Sequence, residues 1–246
     1  MGFDSSKHQA TQSDDGSFTA YSTEFEEHYH STKDGALHES LCKHVLPGLK
    51  HCEDKDEIII LDICFGLGFN TLATLLSLKD SGKKVHIYSP EFDEDLVRSL
   101  VDFNYPKAFD KYKNIIASLA KKQEYRSENI NITVYLGDAR QLVKETSLRF
   151  DIVYQDAFSP SVNPLLWTSE YFNDIVSLMK EDAILTTYST ALKTRIALYE
   201  NGLNVYLHKG KDFRNATLAS KSELEYEKVD VEHKMRCNEG VTALKD

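Results

Sequence analysis

The sequence predicts an α/β fold in which a mostly parallel sheet carries helices on both faces. From residue 57 onward, short apolar runs alternate with segments of helical periodicity, as in successive β-α units. A glycine-rich turn at 64–70 follows the first apolar run, where a strand leads into a helix that faces a ligand. The last two runs are joined by KGKDFRN instead of a helix, which predicts a terminal antiparallel β-hairpin.

The length of 246 residues is enough for one full core with appendages. Residues 1–14 are polar and aperiodic and are predicted to be disordered. Residues 15–56 are predicted to form a small β-hairpin and a helix that pack on the core, and residues 57–220 the main domain. The charged tail 221–246 is predicted either to cover the surface or to be disordered.

The composition limits the partners and the location. The net charge of −10 argues against a broad electrostatic grip on nucleic acid, although a local basic patch remains compatible with it. Lys209, Lys211 and Arg214 form such a segment, which is either a phosphate-binding patch or a solvated face. No apolar run approaches the ~20 residues of a membrane span. Four scattered cysteines and a polar N-terminus predict a cytoplasmic protein without membrane contact.

The run IIILDICFGLGFN, at 58–70, predicts a buried strand, a tight glycine turn and a helix start at Asn70. A dinucleotide fold would carry a third glycine where this chain has Thr71. An acidic residue in the strand, Asp62, followed by Gly66 and Gly68 favours S-adenosylmethionine (SAM), which has no pyrophosphate. The alternative is a glycine-rich turn that binds nothing.

Acidic residues follow four of the predicted strands. They are Asp62, Glu91, Asp138 and Asp156. Since ligands bind outside the carboxyl ends of the strands in such sheets, these acids are expected to meet at one site. Glu91 is predicted to bind the ribose hydroxyls of SAM. Asp138, with Ala139 beside it, is predicted to bind the adenine.

The run YQDAFSPSVNPLLW, at 154–167, is predicted to hang over the transferred methyl group. Asp156 is the predicted catalytic residue, because a carboxylate can accept a hydrogen bond from an amine and aim its lone pair. Phe158 or Trp167 could support a flat base by stacking. Trp167 could instead pack at the start of the next helix.

Several segments together resemble a known family. They are SFTAYSTEFEEHYHSTKDGALHES, ILDICFGLGFN, YLGDAR, FDIVYQDAFSPSVNPLLWTSEYFN and GLNVYLHKGKDFRNATLAS. Over roughly residues 15–220 the chain resembles the methyltransferase domain of the bacterial bifunctional tRNA enzyme that makes 5-methylaminomethyl-2-thiouridine. The resemblance implies a Rossmann-like class I SAM-dependent methyltransferase with a mostly parallel seven-stranded sheet and a terminal antiparallel hairpin.

The resemblance also implies an activity and site roles. The reaction would be SAM-dependent N-methylation of 5-aminomethyl-2-thiouridine at the wobble position, with the tRNA anticodon arm as a transient partner. By matching position, Tyr29, Gly35 and Glu39 would close over the site. The chain departs from the family at Cys64, which replaces a small residue, and at 190–194, which lacks a glycine. The bifunctional relatives also carry a flavin oxidoreductase domain, which removes a carboxymethyl group before methylation, and this sequence has no room for that domain. We therefore expect that no flavin binds and that the substrate already has a free aminomethyl group.

Three other interpretations remain open. A polyamine aminopropyltransferase, which uses decarboxylated SAM, would share the fold and parts of the pattern, but it carries a GGGDG-type loop. A methyltransferase-like scaffold could bind a partner without catalysis. His28, His30 and His38 could bind a metal, but no acid or cysteine completes a recognisable spacing, so no metal is expected.

Overall fold

The computed structural model describes Phe3 and residues 6–246. The strands in chain order are β1 (His8–Gln12), β2 (Phe18–Ser22), β3 (Glu27–His28), β4 (Glu57–Ile63), β5 (Lys84–Glu91), β6 (Glu124–Arg126), β7 (Ile130–Leu136), β8 (Phe150–Gln155), β9 (Met179–Thr187), β10 (Asn204–His208), β11 (Ala216–Ser220) and β12 (Glu227–Lys228). The α-helices are α1 (Ala36–Ser40), α2 (Leu46–His51), α3 (Phe69–Leu78), α4 (Glu94–Ser99), α5 (Lys113–Lys122), α6 (Ala139–Glu145), α7 (Ser169–Leu178), α8 (Leu192–Glu200) and α9 (Val231–Cys237). A π-helical turn, Leu41–Val45, joins α1 to α2, and 3₁₀ turns lie at Leu100–Asp102, Lys107–Tyr112 and Pro164–Leu166.

The main sheet has the order β12-β10-β11-β9-β8-β4-β5-β7-β6 within the described part of the chain. Strands β9, β8, β4, β5 and β7 run parallel to one another, whereas β11 runs antiparallel to both β9 and β10. The predicted parallel sheet with a terminal antiparallel hairpin is therefore confirmed. Seven strands form its body, and the short strands β6 and β12 extend its two edges.

The central strand β4 explains how this sheet is covered on both faces. Ile58 and Ile60 pack into one buried cluster, and Leu61 and Ile63 pack into another on the opposite face. Successive side chains of a strand point to opposite faces, so a continuous apolar run is what a doubly covered strand requires. Burial of each such side chain stabilises the fold by about 1.5–3 kcal/mol. The strand thereby provides a rigid base for the glycine turn at its end.

The N-terminal segment is more ordered than its sequence predicts. Residues 8–12 pair with 18–22 in an antiparallel ladder, and β3 completes a separate three-stranded sheet. The prediction of disorder for residues 1–14 is therefore wrong at β1; Met1, Gly2, Asp4 and Ser5 lie outside the described residues. The sequence of β1 is polar and therefore gives no signal for a strand. This strand is stabilised by pairing and by a contact from His8 Nε2 to Asp93, which lies 3.2 Å away in the main domain.

The C-terminal tail covers the surface beside α7 and α8. Helix α9 lies within it, Leu244 forms a bridge with Thr168, and Asp246 accepts two hydrogen bonds from Arg140 at 2.7 and 2.5 Å. Of the two predicted states of the tail, the structure contains the ordered one. Across the described residues, no helix has the length and apolarity needed to cross a membrane.

Candidate active site

A cleft of about 930 Å³ opens at the carboxyl ends of β4, β5, β7 and β8. Its size is within the range of small-molecule sites. The N-terminal segment forms the opposite wall. Nine of the residues predicted for the site line this cleft, namely Tyr29, Glu39, Gly66, Glu91, Asp138, Ala139, Asp156, Phe158 and Arg214. Six others do not line it, namely Asp62, Gly68, Asn70, Trp167, Lys209 and Lys211.

The glycine turn leaves room where a side chain would block the cleft. Gly66 has φ of +53°, and a Cβ atom there would lie 3.2 Å from the Tyr29 ring. Gly68 has φ of +71° and precedes α3, where a Cβ atom would meet Phe65 at 2.9 Å. Cys64 adopts φ of +66°, which is uncommon for a residue with a side chain. Burial raises the pKa of its thiol, so a neutral thiol faces the cleft.

Glu91 ties the end of β5 to the glycine turn. Its Oε2 accepts the Gly66 N–H at 2.7 Å, and its Oε1 accepts the Asp93 N–H at 2.9 Å. Burial raises the pKa of Glu91 although these backbone bonds lower it. A carboxylate offers about four acceptor positions, so the side chain can also accept hydrogen bonds from a ligand. Asp138 is exposed on the same wall, and its Oδ1 caps α6 through the Arg140 N–H at 2.7 Å.

Asp156 lies just beyond β8 and is held from two sides. Its Oδ2 accepts a hydrogen bond from Asn70 Nδ2 at 2.8 Å, and its Oδ1 lies 3.3 Å from His44 Nε2. Burial raises the pKa of Asp156, but His44 and Asn70 lower it by more, so the pKa lies below its ordinary value. The side chain is therefore an ionised carboxylate that lines the cleft.

Asp62 and Asn70 occupy the layer behind the cleft, which corrects their prediction as cofactor-contacting residues. Asp62 is 1% exposed and accepts hydrogen bonds from Thr71 Oγ1 at 2.9 Å and Asn70 Nδ2 at 3.3 Å. Burial raises the pKa of Asp62 to about 7. Helix α3 begins at Phe69, one residue before the predicted start, and this turns the Asn70 amide inward toward both acids. Asn70 therefore holds Asp156, and Asp62 in turn holds the Asn70 amide.

Aromatic side chains form the wall opposite the glycine turn. The Phe158 ring stacks on Phe25 at 4.6 Å and meets the edge of Tyr29 at 4.9 Å. Glu39 also faces the cleft, but its two oxygens accept hydrogen bonds from the Ser31 N–H at 2.6 Å and from Lys43 Nζ at 2.5 Å. Glu39 therefore fixes the fold of this wall, while the rings provide a flat apolar surface.

The stacking prediction for Trp167 is wrong. The indole is completely buried and donates a hydrogen bond from Nε1 to the Phe158 carbonyl oxygen at 2.8 Å. A base cannot reach it, and its packing role is the alternative that the sequence left open. Trp167 instead anchors the loop that presents Phe158.

The three residues of the predicted basic segment, Lys209, Lys211 and Arg214, do not all lie at the cleft. Arg214 lines the cleft, and Lys211 is exposed nearby in the chain. Lys209 lies outside the cleft and pairs with Glu227 at 2.5 Å. The predicted patch therefore reduces to one residue at the cleft and one neighbour on the surface.

Two histidines at the site were missed by the sequence interpretation as functional residues. His30 lines the cleft, and burial lowers its pKa although Asp156 opposes this shift. His44 is fully buried beside Asp156. The sequence contains a signal that His44 is buried, since His44 follows Leu41 by three residues and therefore lies on the apolar face of the helix. Among the described residues, no group of three metal-binding side chains is close enough to hold an ion.

Comparisons with known proteins agree with this geometry. The profile of a family described as S-adenosyl-L-methionine-dependent methyltransferase matches residues 105–222. The crystal structure of MNMC2 from Aquifex aeolicus superposes with a TM-score of 0.86 at 29% identity, over 97% of this chain and 79% of that chain. A probable spermidine synthase from Corynebacterium glutamicum has a TM-score of 0.62 at 12% identity, over 97% of this chain and 92% of that one, which shows the shared fold alone.

Two curated relatives are longer than this chain. An uncharacterized protein of Methanocaldococcus jannaschii is 30% identical over 200 residues, which are 80% of this chain and 54% of that protein. The tRNA 5-methylaminomethyl-2-thiouridine biosynthesis bifunctional protein MnmC of Campylobacter concisus is 28% identical over 184 residues, 70% of this chain and 29% of that protein. The chain thus spans about half of one relative and less than a third of the other.

The fold and the cleft define a SAM-dependent methyltransferase of the Rossmann-like class. Its mostly parallel sheet, terminal antiparallel hairpin and glycine turn are those expected from the sequence. Within that class, the chain is similar to MNMC2 from Aquifex aeolicus and to part of the bifunctional MnmC protein.

Proposed function

We propose that this methyltransferase N-methylates 5-aminomethyl-2-thiouridine at the tRNA wobble position. The observation that carries the proposal is the Asp156 carboxylate, which is ionised, lines the cleft and is held by Asn70 and His44. The bifunctional MnmC relative is named for the corresponding product, 5-methylaminomethyl-2-thiouridine, which supports the choice of substrate.

The cleft has the features that SAM requires. The turn at Gly66 leaves space that a Cβ atom would fill, and Glu91 and Asp138 present carboxylates to hydroxyl and amino groups. We assign Glu91 to the ribose, and Asp138 with Ala139 to the adenine. When bound, SAM supplies an electrophilic methyl group on a sulfonium.

The chain's own residues would position the amine. Asp156 accepts a hydrogen bond from the amine and aims the nitrogen lone pair along the axis of displacement. The lone pair forms the new N–C bond, the sulfur keeps the electrons of the broken bond, and the nitrogen releases one proton to water in the open cleft. Phe158, with Phe25 and Tyr29 behind it, supports the uracil ring by stacking.

The uridine must leave the anticodon stack to reach Asp156. Arg214 at the cleft and the exposed Lys211 are the basic residues that we assign to the phosphates of the anticodon arm. The cytoplasm remains the predicted location, and the expected absence of flavin and metal remains a prediction.

The test is a comparison of substrates. Labelled SAM is offered with tRNA that carries the aminomethyl group and with tRNA that carries the carboxymethylaminomethyl group, and the nucleosides are identified by mass. We expect label only in 5-methylaminomethyl-2-thiouridine. A parallel reaction contains putrescine and decarboxylated SAM, and spermidine as the main product would refute the proposal in favour of aminopropyl transfer.

A further inference from the structure

His44 is a buried histidine in an irregular part of a helix. It lies in the π-helical turn Leu41–Val45 and is completely buried. Single π-helical turns inside α-helices often occur at functional sites, because they move one side chain out of the regular helical path. Here His44, a residue of the N-terminal segment, contacts Thr186 on β9.

The ring of His44 bridges two polar groups of the main domain. Its Nδ1 lies 2.9 Å from Thr186 Oγ1 on β9, and its Nε2 lies 3.3 Å from Asp156 Oδ1. A neutral imidazole has one donor and one acceptor nitrogen. A carboxylate can only accept, so the Nε2 nitrogen must carry a hydrogen for this contact to be favourable. The Thr186 hydroxyl can then donate to Nδ1 and hold that tautomer.

The second oxygen of Asp156 is fixed independently. Asn70 Nδ2, from α3, donates to Oδ2 at 2.8 Å and also reaches Asp62 Oδ1 at 3.3 Å. A hydrogen bond on one oxygen and the 3.3 Å contact with His44 Nε2 on the other restrict rotation of the carboxylate about its last bond. Asp156 also lines the cleft, and a carboxylate has acceptor positions besides those used by these two contacts. The orientation of the carboxylate thus depends on a residue more than one hundred positions earlier in the chain.

We propose that His44 is a positioning residue that fixes the Asp156 carboxylate at the angle needed to aim the substrate amine. This inference rests on the proposed function, in which Asp156 accepts a hydrogen bond from that amine. It also gives the N-terminal helix a role in the reaction, since the 3.3 Å contact between His44 Nε2 and Asp156 connects that helix to the carboxylate.

The kinetic test compares two variants. His44→Leu fills the buried site with an apolar side chain that cannot donate a hydrogen bond, whereas the amide of His44→Gln can still donate to Asp156. We expect His44→Leu to lower kcat on aminomethyl tRNA by roughly 10–100-fold, as for a misaligned reacting group, with little change in KM. His44→Gln should recover most of that loss. His51→Ala, at the end of α2, is the matched control and should retain full activity.

A double-mutant cycle separates positioning from a purely structural role. In an Asp156→Ala background, His44→Leu should lower kcat no further, because the group it orients is gone. Equal effects of His44→Leu in both backgrounds would overturn the inference. So would a normal kcat for the folded single variant.

A spectroscopic test does not depend on the substrate. In ¹⁵N-histidine-labelled protein, the His44 resonance should report a protonated Nε2, and Asp156→Asn should shift it. An unprotonated Nε2 would overturn the inference even if methylation is confirmed. If the wild type fails to methylate aminomethyl tRNA, the proposed function fails, and the spectrum still decides whether His44 donates to Asp156.

Discussion

The two sides of the cleft are built in different ways. On the side that we propose for the cofactor, the turn at Gly66 and the carboxylate of Glu91 are joined through a backbone N–H at 2.7 Å. On the side that we propose for the amine, Asp156 is held by side chains from α3 and from the π-helical turn. The first side depends mainly on backbone geometry at the ends of adjacent strands. The second depends on side-chain contacts between distant segments.

This difference indicates how each side responds to mutation. Backbone geometry at Gly66 follows from the rigid strand β4, so a change there affects the shape of the cofactor site. Side-chain contacts at Asp156 fix an angle, so a change there should affect the rate more than the binding. The predictions below test this separation, from the largest expected effect to the smallest.

The largest effect is expected for Asp156→Ala. Turnover on tRNA should fall by about 10²-fold or more, since the amine loses the group that orients it. SAM affinity, measured by calorimetry, should stay nearly intact. If SAM binding is lost instead, and turnover follows occupancy, Asp156 belongs to the cofactor side.

Glu91→Ala should give the opposite pattern. Loss of the ribose acceptor should weaken SAM binding by roughly 1.5–3 kcal/mol, the scale of hydrogen bonds to a charged group. The substitution also frees the Gly66 N–H, so part of this loss reflects a looser turn. Glu91→Gln, which keeps one acceptor oxygen, should have a smaller effect. Unchanged affinity in Glu91→Ala would reject the ribose assignment.

Asp62 should make stability depend on pH. Its pKa in the folded chain, about 7, lies above the ordinary value, so the folded state binds an extra proton between about pH 4 and pH 7. The free energy of unfolding should therefore fall as pH rises through this window, by about 1 kcal/mol per pH unit or less. Urea unfolding of Asp62→Asn should lack this component. An identical pH profile for wild type and variant would contradict the raised pKa.

The smallest effect is expected at the basic segment. Reversal of Lys211 and Arg214 to Glu should raise KM for tRNA by about two- to fivefold and flatten its salt dependence, because phosphate contacts release counterions. Lys209→Glu is the matched control, since this lysine pairs with Glu227 outside the cleft. Equal KM values for the double variant and the control would identify the segment as a solvated face.

The sequence was most informative where the signal is local. The apolar run of β4, the positive-φ glycines and the hairpin at β10 and β11 all follow from residues close together in the chain, and the structure contains each of them. The prediction for β1 failed because its stability comes from pairing with β2 and from the contact between His8 and Asp93, neither of which a local pattern shows. Trp167 could not be assigned from sequence, because stacking and packing use the same aromatic surface.

The sequence by itself determined the α/β class, the glycine turn and the acids at the strand ends, because chain direction and periodicity place those residues at one edge of a sheet. Only the tertiary structure decided which acids face the cleft. It placed Asp62 behind Asn70 and left Asp156 at the surface of the cleft, and it brought His44 to that carboxylate. Such contacts join residues far apart in the chain, and no local pattern specifies their distance or their hydrogen-bond direction.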